Sequence, residues 1–277
     1  MMRRYPATAV CLLLVALSLT FTGSAHSATS PTKILTIVEE NHSLAEMQAA
    51  MPYLNTLAAT YSYAINYTAI TYPSLPNYLA MTGGSTFGVT DDGPPSSHPI
   101  SGASVFGSHG KSYEESMPSN CFTGNAYPYM VKHNPWPYFT AGRTQCSTRD
   151  VGLSVLASDA AAGTLPRVGL VTPNMCNDAH DCSVGTADSW LQANVPGILA
   201  GPDFTSGRLV VVITADSDDH GSGNEVLTVV LHAGSAHLVV TTALTHYSLA
   251  RLQTQVAGAA CLRLACTAPD MKAAFGL

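Results

Sequence analysis

The chain has 277 residues, of which 46% are hydrophobic and only 11% charged, and its net charge is −6 with ten neutral histidines. That balance leaves no basic footprint for nucleic acid, and twelve Lys and Arg supply no polybasic run for an anionic membrane surface. A chain this apolar and this poor in charge must bury a full core beneath a surface rich in Ser, Thr, Asn and Gly.

Arg3 and Arg4 precede a mostly apolar run over residues 7–21, and small residues follow around 25–28. The run falls short of the ~20 residues that a spanning helix needs, so residues 1–28 read as a secretory signal peptide. Residues 29–277 are then long enough for one large domain. The expectation is a secreted monomer without a stable membrane anchor. Cys11 leaves with the signal peptide. Cys121, Cys146, Cys176, Cys182, Cys261 and Cys266 remain, and an even count in an exported chain reads as disulfides. Close spacing favours Cys176–Cys182 and Cys261–Cys266, leaving Cys121–Cys146. A cysteine metal cluster competes poorly, because no CxxC pair occurs.

Residues 33–38, KILTIV, predict a buried strand that runs into Glu39-Glu40-Asn41. Helical spacing follows over 44–61, with Leu54, Leu57 and Ala58 on one side, and a strand is expected over 63–70. Residues 71–84, TYPSLPNYLAMTGG, then hold Ser74 between two prolines on a stiff turn that enters a helix-like run over 77–81. Free N–H groups at a helix start favour an anion. The plainer reading is a proline turn whose Ser74 or Asn77 caps the helix.

Residues 82–108 are rich in Gly, Ser, Pro and Asp and read as a long loop, with 86–99 lining an entrance. Residues 127–140 contain His133-Asn134-Pro135-Trp136. Residues 151–162 are helical in composition. A strand over 167–171 ends in a polar segment with Asn177, Asp178, His180 and Asp181. Residues 187–199 read as a helix. The strongest strand, RLVVVI over 208–213, runs into Asp216-Ser217-Asp218-Asp219-His220. Strands over 226–232 and 237–242 precede a last helix over 245–256. Strands alternating with helices predict an α/β fold, a three-layer sandwich with a mostly parallel central sheet.

Three apolar strands thus end in oxygen- and nitrogen-rich tips, and the Ser74 turn makes a fourth. Open α/β sheets hold their sites at such ends. Oxygen ligands with some imidazole suit a divalent cation such as Ca, Mg, Mn or Zn. Each tip alone is also explained by solvated carboxylates, an Asx turn or a satisfied core histidine.

The segments VEENHS, YPSLPNYLAMTGG, ESMPSNC, HNPWPY, LPRVGLVTPNMCNDAHDC, ADSWL, VVVITADSDD and THYSLARL occur in the order and spacing of a bacterial phosphoesterase family. The chain resembles the group of secreted acid phosphatases and phospholipases C within the alkaline-phosphatase-like superfamily, over about residues 33–255. The resemblance implies a metal-dependent hydrolase of small phosphate esters. It makes Ser74 the nucleophile of a phosphoserine intermediate. Glu40, Asn41 and Asp216 become metal ligands; Asp178 becomes a second-metal ligand or a brace for the His180 imidazole, and Asp218 or Asp219, with Asp219 preferred, a further ligand. His180 becomes the group that contacts phosphate or protonates the leaving group. Asn77, His133 and His246 are assigned to substrate. Ser217 departs from the pattern, which usually carries a second acidic residue there. The alternatives are a phosphodiesterase or phospholipase C on the same site, a non-catalytic exported binding protein, and a serine esterase, for which the G-x-S-x-G signature is missing.

Overall fold

The computed structural model describes residues 1–3, 30–107 and 109–277. The leader expected over 1–28 lies almost wholly outside them. Ten strands are described: β1 Lys33–Glu39, β2 Ser62–Ala64, β3 Tyr67–Thr68, β4 Gly110–Glu114, β5 Asp150–Gly152, β6 Val168–Thr172, β7 Leu209–Ala215, β8 Thr228–His232, β9 Leu238–Val240 and β10 Leu244–Thr245. The helices are α1 Leu44–Ala50, α2 Pro52–Thr60, α3 Ser74–Gly83, α4 Arg143–Arg149, α5 Leu156–Ala162, α6 Val184–Ala200, α7 Pro202–Thr205, α8 His246–Ala257 and α9 Met271–Ala274.

Eight strands form one sheet in the order β5-β4-β6-β1-β7-β8-β2-β9, and β10 pairs with β3 in a small second one. Within the large sheet β8 alone is antiparallel to its neighbours, β7 and β2. β1 sits at the centre, parallel to β6 and to β7. Both faces are covered, which is why β1 and β7 read as unbroken apolar runs rather than alternating ones. All seven residues of β7 are buried.

The pleat of β1 assigns the two helical layers, because successive side chains take opposite faces. Thr36 accepts a hydrogen bond from Gln253 of α8, and α8 packs against α3. On the other face α6 packs with α1, α2 and α5, and Glu39 feels the charge of Asp188 on α6. Glu40 has the parity of Thr36. It therefore leaves the end of β1 toward the α3 layer.

Several elements differ from the sequence reading at prolines and strand ends. The helix expected over 44–61 is two helices, because Pro52 cannot continue the first and instead opens the second at its N-terminal end. The strand expected over 63–70 splits into β2 and β3, which join different sheets. The first residues of the helix expected over 151–162 belong to β5. The cysteines pair as Cys121–Cys146, Cys176–Cys182 and Cys261–Cys266. Among the described residues no helix is long and apolar enough to cross a membrane.

Candidate active site

The helix α3 starts at Ser74 itself, directly after the Tyr72–Pro73 cis peptide bond. Asn77 builds the turn ahead of it. Its Oδ1 accepts the Ile70 and Thr71 N–H groups at 3.0 and 3.1 Å, and its Nδ2 donates to the Thr71 carbonyl at 2.7 Å. Ser74 does not cap the helix. Its hydroxyl donates to Glu40 Oε2 at 3.0 Å, in a place where both residues are buried. One turn later Tyr78 donates to Glu40 Oε1 at 2.6 Å, so one helix face supplies both hydroxyls.

Asn41 follows Glu40 with φ of 55°, a left-handed conformation that asparagine tolerates better than most residues. Its N–H reaches Asp216 Oδ1 at 3.2 Å. Ser217, in the position where an acidic residue was expected, donates to Asn41 Oδ1 at 3.2 Å. The main chains of the tips are also joined. Asp216 N–H donates to the Glu39 carbonyl at 2.9 Å, and Glu40 N–H to the Asp178 carbonyl at 2.8 Å. Glu40, Asn41, Ser74, Asp178 and Asp216 thus gather at the carboxyl ends of β1, β6 and β7.

His133 lies inside this group. Its Nε2 is 3.3 Å from Glu40 Oε2 and its Nδ1 is 3.3 Å from Asp178 Oδ2, and its ring stacks on Tyr78. Burial opposes its charge, but Glu40 and Asp178 outweigh burial and push its pKa up to about 10. Burial likewise opposes ionisation of Glu40, but the His133 charge prevails and lowers its pKa to about 2. Burial pushes Asp216 well up and Asp178 up. His180 stands at the rim, with Nδ1 2.7 Å from Asp181 Oδ1 and Nε2 3.2 Å from Lys132 Nζ.

The donor set fits a cation. Asp216 Oδ2, Asp178 Oδ2 and His133 Nε2 are buried without a well-aligned hydrogen bond. Three carboxylates share this dry volume with one imidazolium, and leaving such atoms unmatched is costly unless charge is supplied. Ligand atoms of Glu40, His133 and His180 also lie within 4.8 Å of one another.

The Phosphoesterase family profile matches residues 42–223. A phosphatidylinositol-3-phosphatase of Mycobacterium tuberculosis is 32% identical over 88% of this chain and 82% of its own length. A phosphate-repressible acid phosphatase of Penicillium chrysogenum is 32% identical over 71% of this chain. The chain belongs to the phosphoesterase family. It is a phosphoric ester hydrolase by that membership, although it spans only about half the length of the fungal acid phosphatases it matches, 52% in the Penicillium case. Among solved structures, a protein in the alkaline phosphatase superfamily from Vibrio parahaemolyticus superposes with a TM-score of 0.55 at 9% identity, covering 84% of this chain and 67% of its own. The PsFucS1 sulfatase from Pseudoalteromonas sp. gives 0.50 at 9% identity, covering 83% and 68%. These two likenesses show the fold alone.

Four expected assignments in this phosphoesterase are corrected by the geometry. His133 was assigned to substrate, but it is buried and both ring nitrogens face carboxylates, Glu40 and Asp178, as their counter-charge. Asn77 was assigned to substrate, but it is fully buried and its amide is spent on the backbone of 70–73. His246 was assigned to substrate as well. It is buried behind the site, where Nε2 donates to the Asp216 carbonyl at 2.6 Å and Nδ1 takes the Tyr67 hydroxyl at 3.0 Å. Burial lowers its pKa to about 4, so it is a neutral strut under Asp216. Asp219 was assigned to metal, but it is exposed and accepts the Gly221 N–H of its own turn. Asp218 is the inward residue of that turn. Its carboxylate collects the Tyr72 hydroxyl and the N–H groups of His220, Ser222 and Asn224, which rotates Asp219 outward.

The sequence reading missed Tyr78, Asp92 and Lys132. Tyr78 could have been found from its spacing of four after Ser74 on one helix. Asp92 accepts the Leu75 N–H at 2.9 Å, so a carboxylate already holds part of the helix start that was expected to be free for an anion. No local pattern marks Asp92 within its loop.

The buried charges set a pH dependence for the metal-free chain. Ionised Glu40 contributes fully above its ordinary 4.5, and that contribution fades as pH falls toward about 2. Charged His133 contributes fully below its ordinary 6.5, and that fades as pH rises toward about 10. Burial raises Asp150 to about 7 and raises Asp178 and Asp216, so the folded chain binds these protons more tightly and loses stability as pH rises. Thermal melting in chelator is expected to give a higher midpoint at about pH 5.5 than at about pH 9. An equal or higher midpoint at the alkaline value contradicts this account of the cluster.

Proposed function

We propose that this chain is an exported, metal-dependent, acid-phosphatase-like phosphomonoesterase that works through a phosphoserine at Ser74. What supports the reading above all is the 3.0 Å hydrogen bond from a buried Ser74 to Glu40, beside an Asp216 oxygen that makes no well-aligned hydrogen bond. Glu40, Asn41 and Asp216 would hold a divalent cation, with Asp178 next to them. Such a cation supplies positive charge that lowers the serine pKa and neutralises the phosphoryl oxygens.

The chain's own groups do the rest. Ser74 Oγ gives up its proton to solvent water and attacks phosphorus in line, and the ester P–O bond opposite breaks to release the alcohol. Asn77 and the two prolines keep the hydroxyl on its turn, so little orientational freedom remains to be lost at the transition state. His180 donates a proton to the leaving oxygen. Its Nε2 accepts from Lys132 in the resting arrangement, so that contact parts and Nε2 takes a proton from solvent water before it can donate. Water then cleaves the phosphoserine, returning phosphate and free Ser74. Tyr78 and His133 hold Glu40 ionised and aimed at the serine. The relatives' names describe phosphomonoesterases, which favours a monoester over a phosphodiester or lipid head-group linkage. Three disulfides among the described residues suit an oxidising, extracellular location.

The test is turnover of an aryl phosphate, a bis-aryl phosphate and a phosphocholine ester with a series of divalent metals. The expected result is fastest turnover of the monoester, loss of activity with chelator and recovery on metal addition. Activity that persists through exhaustive chelation overturns metal dependence. Faster turnover of either diester replaces the monoesterase reading with the diesterase one. Metal binding with no turnover of any ester supports a binding protein on this scaffold.

A further inference from the structure

Lys132 lies against the site and enters the mechanism above only as a donor to His180. Its Nζ is 3.2 Å from His180 Nε2 and 3.3 Å from Asp92 Oδ2, and its side chain is only 13% exposed. An ammonium can only donate, so His180 Nε2 is the acceptor of that contact, and the Asp181 carboxylate takes the proton on Nδ1. The Lys132 ammonium therefore places a positive charge at the rim, directed at His180 Nε2.

Asp92 fixes where that charge stands. One of its oxygens faces Lys132, and the other accepts the N–H of Leu75, the residue after Ser74. A single carboxylate thus bridges the ammonium to the first turn of the helix that carries the serine. The contacts to His180 and Asp92 use two of three N–H donors. Four other cations are paired elsewhere. Lys33 and Arg208 pair with Asp203, Lys111 with Asp159 and Arg251 with Asp270.

Resting on the phosphomonoesterase reading, we propose that Lys132 is a substrate-binding residue that reads the second negative charge of a phosphate monoester, and so sets the preference for monoesters over diesters. A diester replaces one charged oxygen with a neutral alkoxy group and carries a single charge. A half-buried ammonium separates the two, because it interacts with a dianion more strongly than with a monoanion at the same distance. Asp92 holds the ammonium in place before substrate arrives, and the incoming phosphoryl group competes with that carboxylate for it.

The experiment compares the intact wild-type protein with Lys132→Met and Lys132→Arg, loaded with the activating metal. It reads kcat/KM for the aryl phosphate and the bis-aryl phosphate, and the affinity for inorganic phosphate. Lys132→Met is expected to lower monoester kcat/KM by about 100-fold and diester kcat/KM by less than about fivefold, with phosphate affinity weakened at least about tenfold. Lys132→Arg keeps the charge and is expected to hold the monoester-to-diester ratio within about threefold of wild type. It also decides the question if the methionine variant fails to fold. Equal losses on both esters, or an arginine variant whose ratio collapses, overturn the proposal and leave Lys132 as a brace for His180. If wild type turns over neither ester, the phosphatase reading fails separately. Phosphate affinity then decides for Lys132: weakening in Lys132→Met upholds the anion site, and unchanged affinity removes it.

Discussion

Ser74→Ala is expected to lower phosphate-ester turnover by about 10⁴-fold or more, since it removes the hydroxyl that the proposed mechanism uses as nucleophile. The fold is expected to survive. The variant removes one donor to Glu40 and leaves the Tyr78 hydroxyl and His133 in place. Loss of a hydrogen bond to a buried charged group costs about 1–3 kcal/mol, which a domain with this extent of buried sheet tolerates. Steady-state kinetics on an aryl phosphate, with a chemical-denaturation curve for each protein, checks both parts. Brief exposure of wild type to substrate at acid quench should also place phosphate on the peptide containing Ser74. Turnover above about a tenth of wild type, in a variant that is folded, assigns the nucleophile elsewhere.

His133→Ala is expected to produce the largest loss of stability among single substitutions at the site. The imidazolium lies between Glu40 and Asp178, 3.3 Å from an oxygen of each, and all three residues are buried. Removing it leaves two carboxylates facing each other across a cavity beside Asp216. Breaking a buried ionic group by deleting one member costs about 3–5 kcal/mol. The lost stacking on Tyr78 adds to this. Denaturation in chelator is the right comparison, because a bound cation would substitute for part of the missing charge. Metal should accordingly rescue the variant's melting temperature by more than it raises that of wild type. A variant as stable as wild type without metal would falsify the role of His133 as counter-charge.

The resemblance to phosphoesterases and the strand tips both pointed at Glu40, Asn41, Ser74 and Asp216, and the chain ends that carry them do meet. Asp178 was readable for the same reason, since β6 is apolar to its end and then turns abruptly polar. The misplaced residues share a different property. Asn77, His133, His246 and Asp219 are the right residue types in the right segments, yet their partners lie in loops or in distant elements. Asn77 is claimed by the backbone of the preceding turn. His246 is claimed by Tyr67, 179 residues away in sequence. Asp219 lost the inward position to Asp218, because Asp218 can reach three N–H groups of the same turn and a tyrosine hydroxyl besides. Lys132 was passed over because a lone basic residue beside a histidine carries no local pattern.

By itself the sequence determined the α/β class, the central strands, the cysteine pairs and the polar tips, since each depends on local spacing: unbroken apolar runs for strands covered on both faces, and short loops for two of the three disulfides. Tertiary structure alone decided which polar side chains at those tips look at one another. The pleat of β1 sends Glu40 toward α3 and Glu39 away from it, but only the packing of α3 over the end of the sheet brings Ser74 and Tyr78 to meet that carboxylate. The direction of a loop side chain is set by hydrogen-bond partners that the chain supplies from far away, and no pattern within a short window records where those partners arrive.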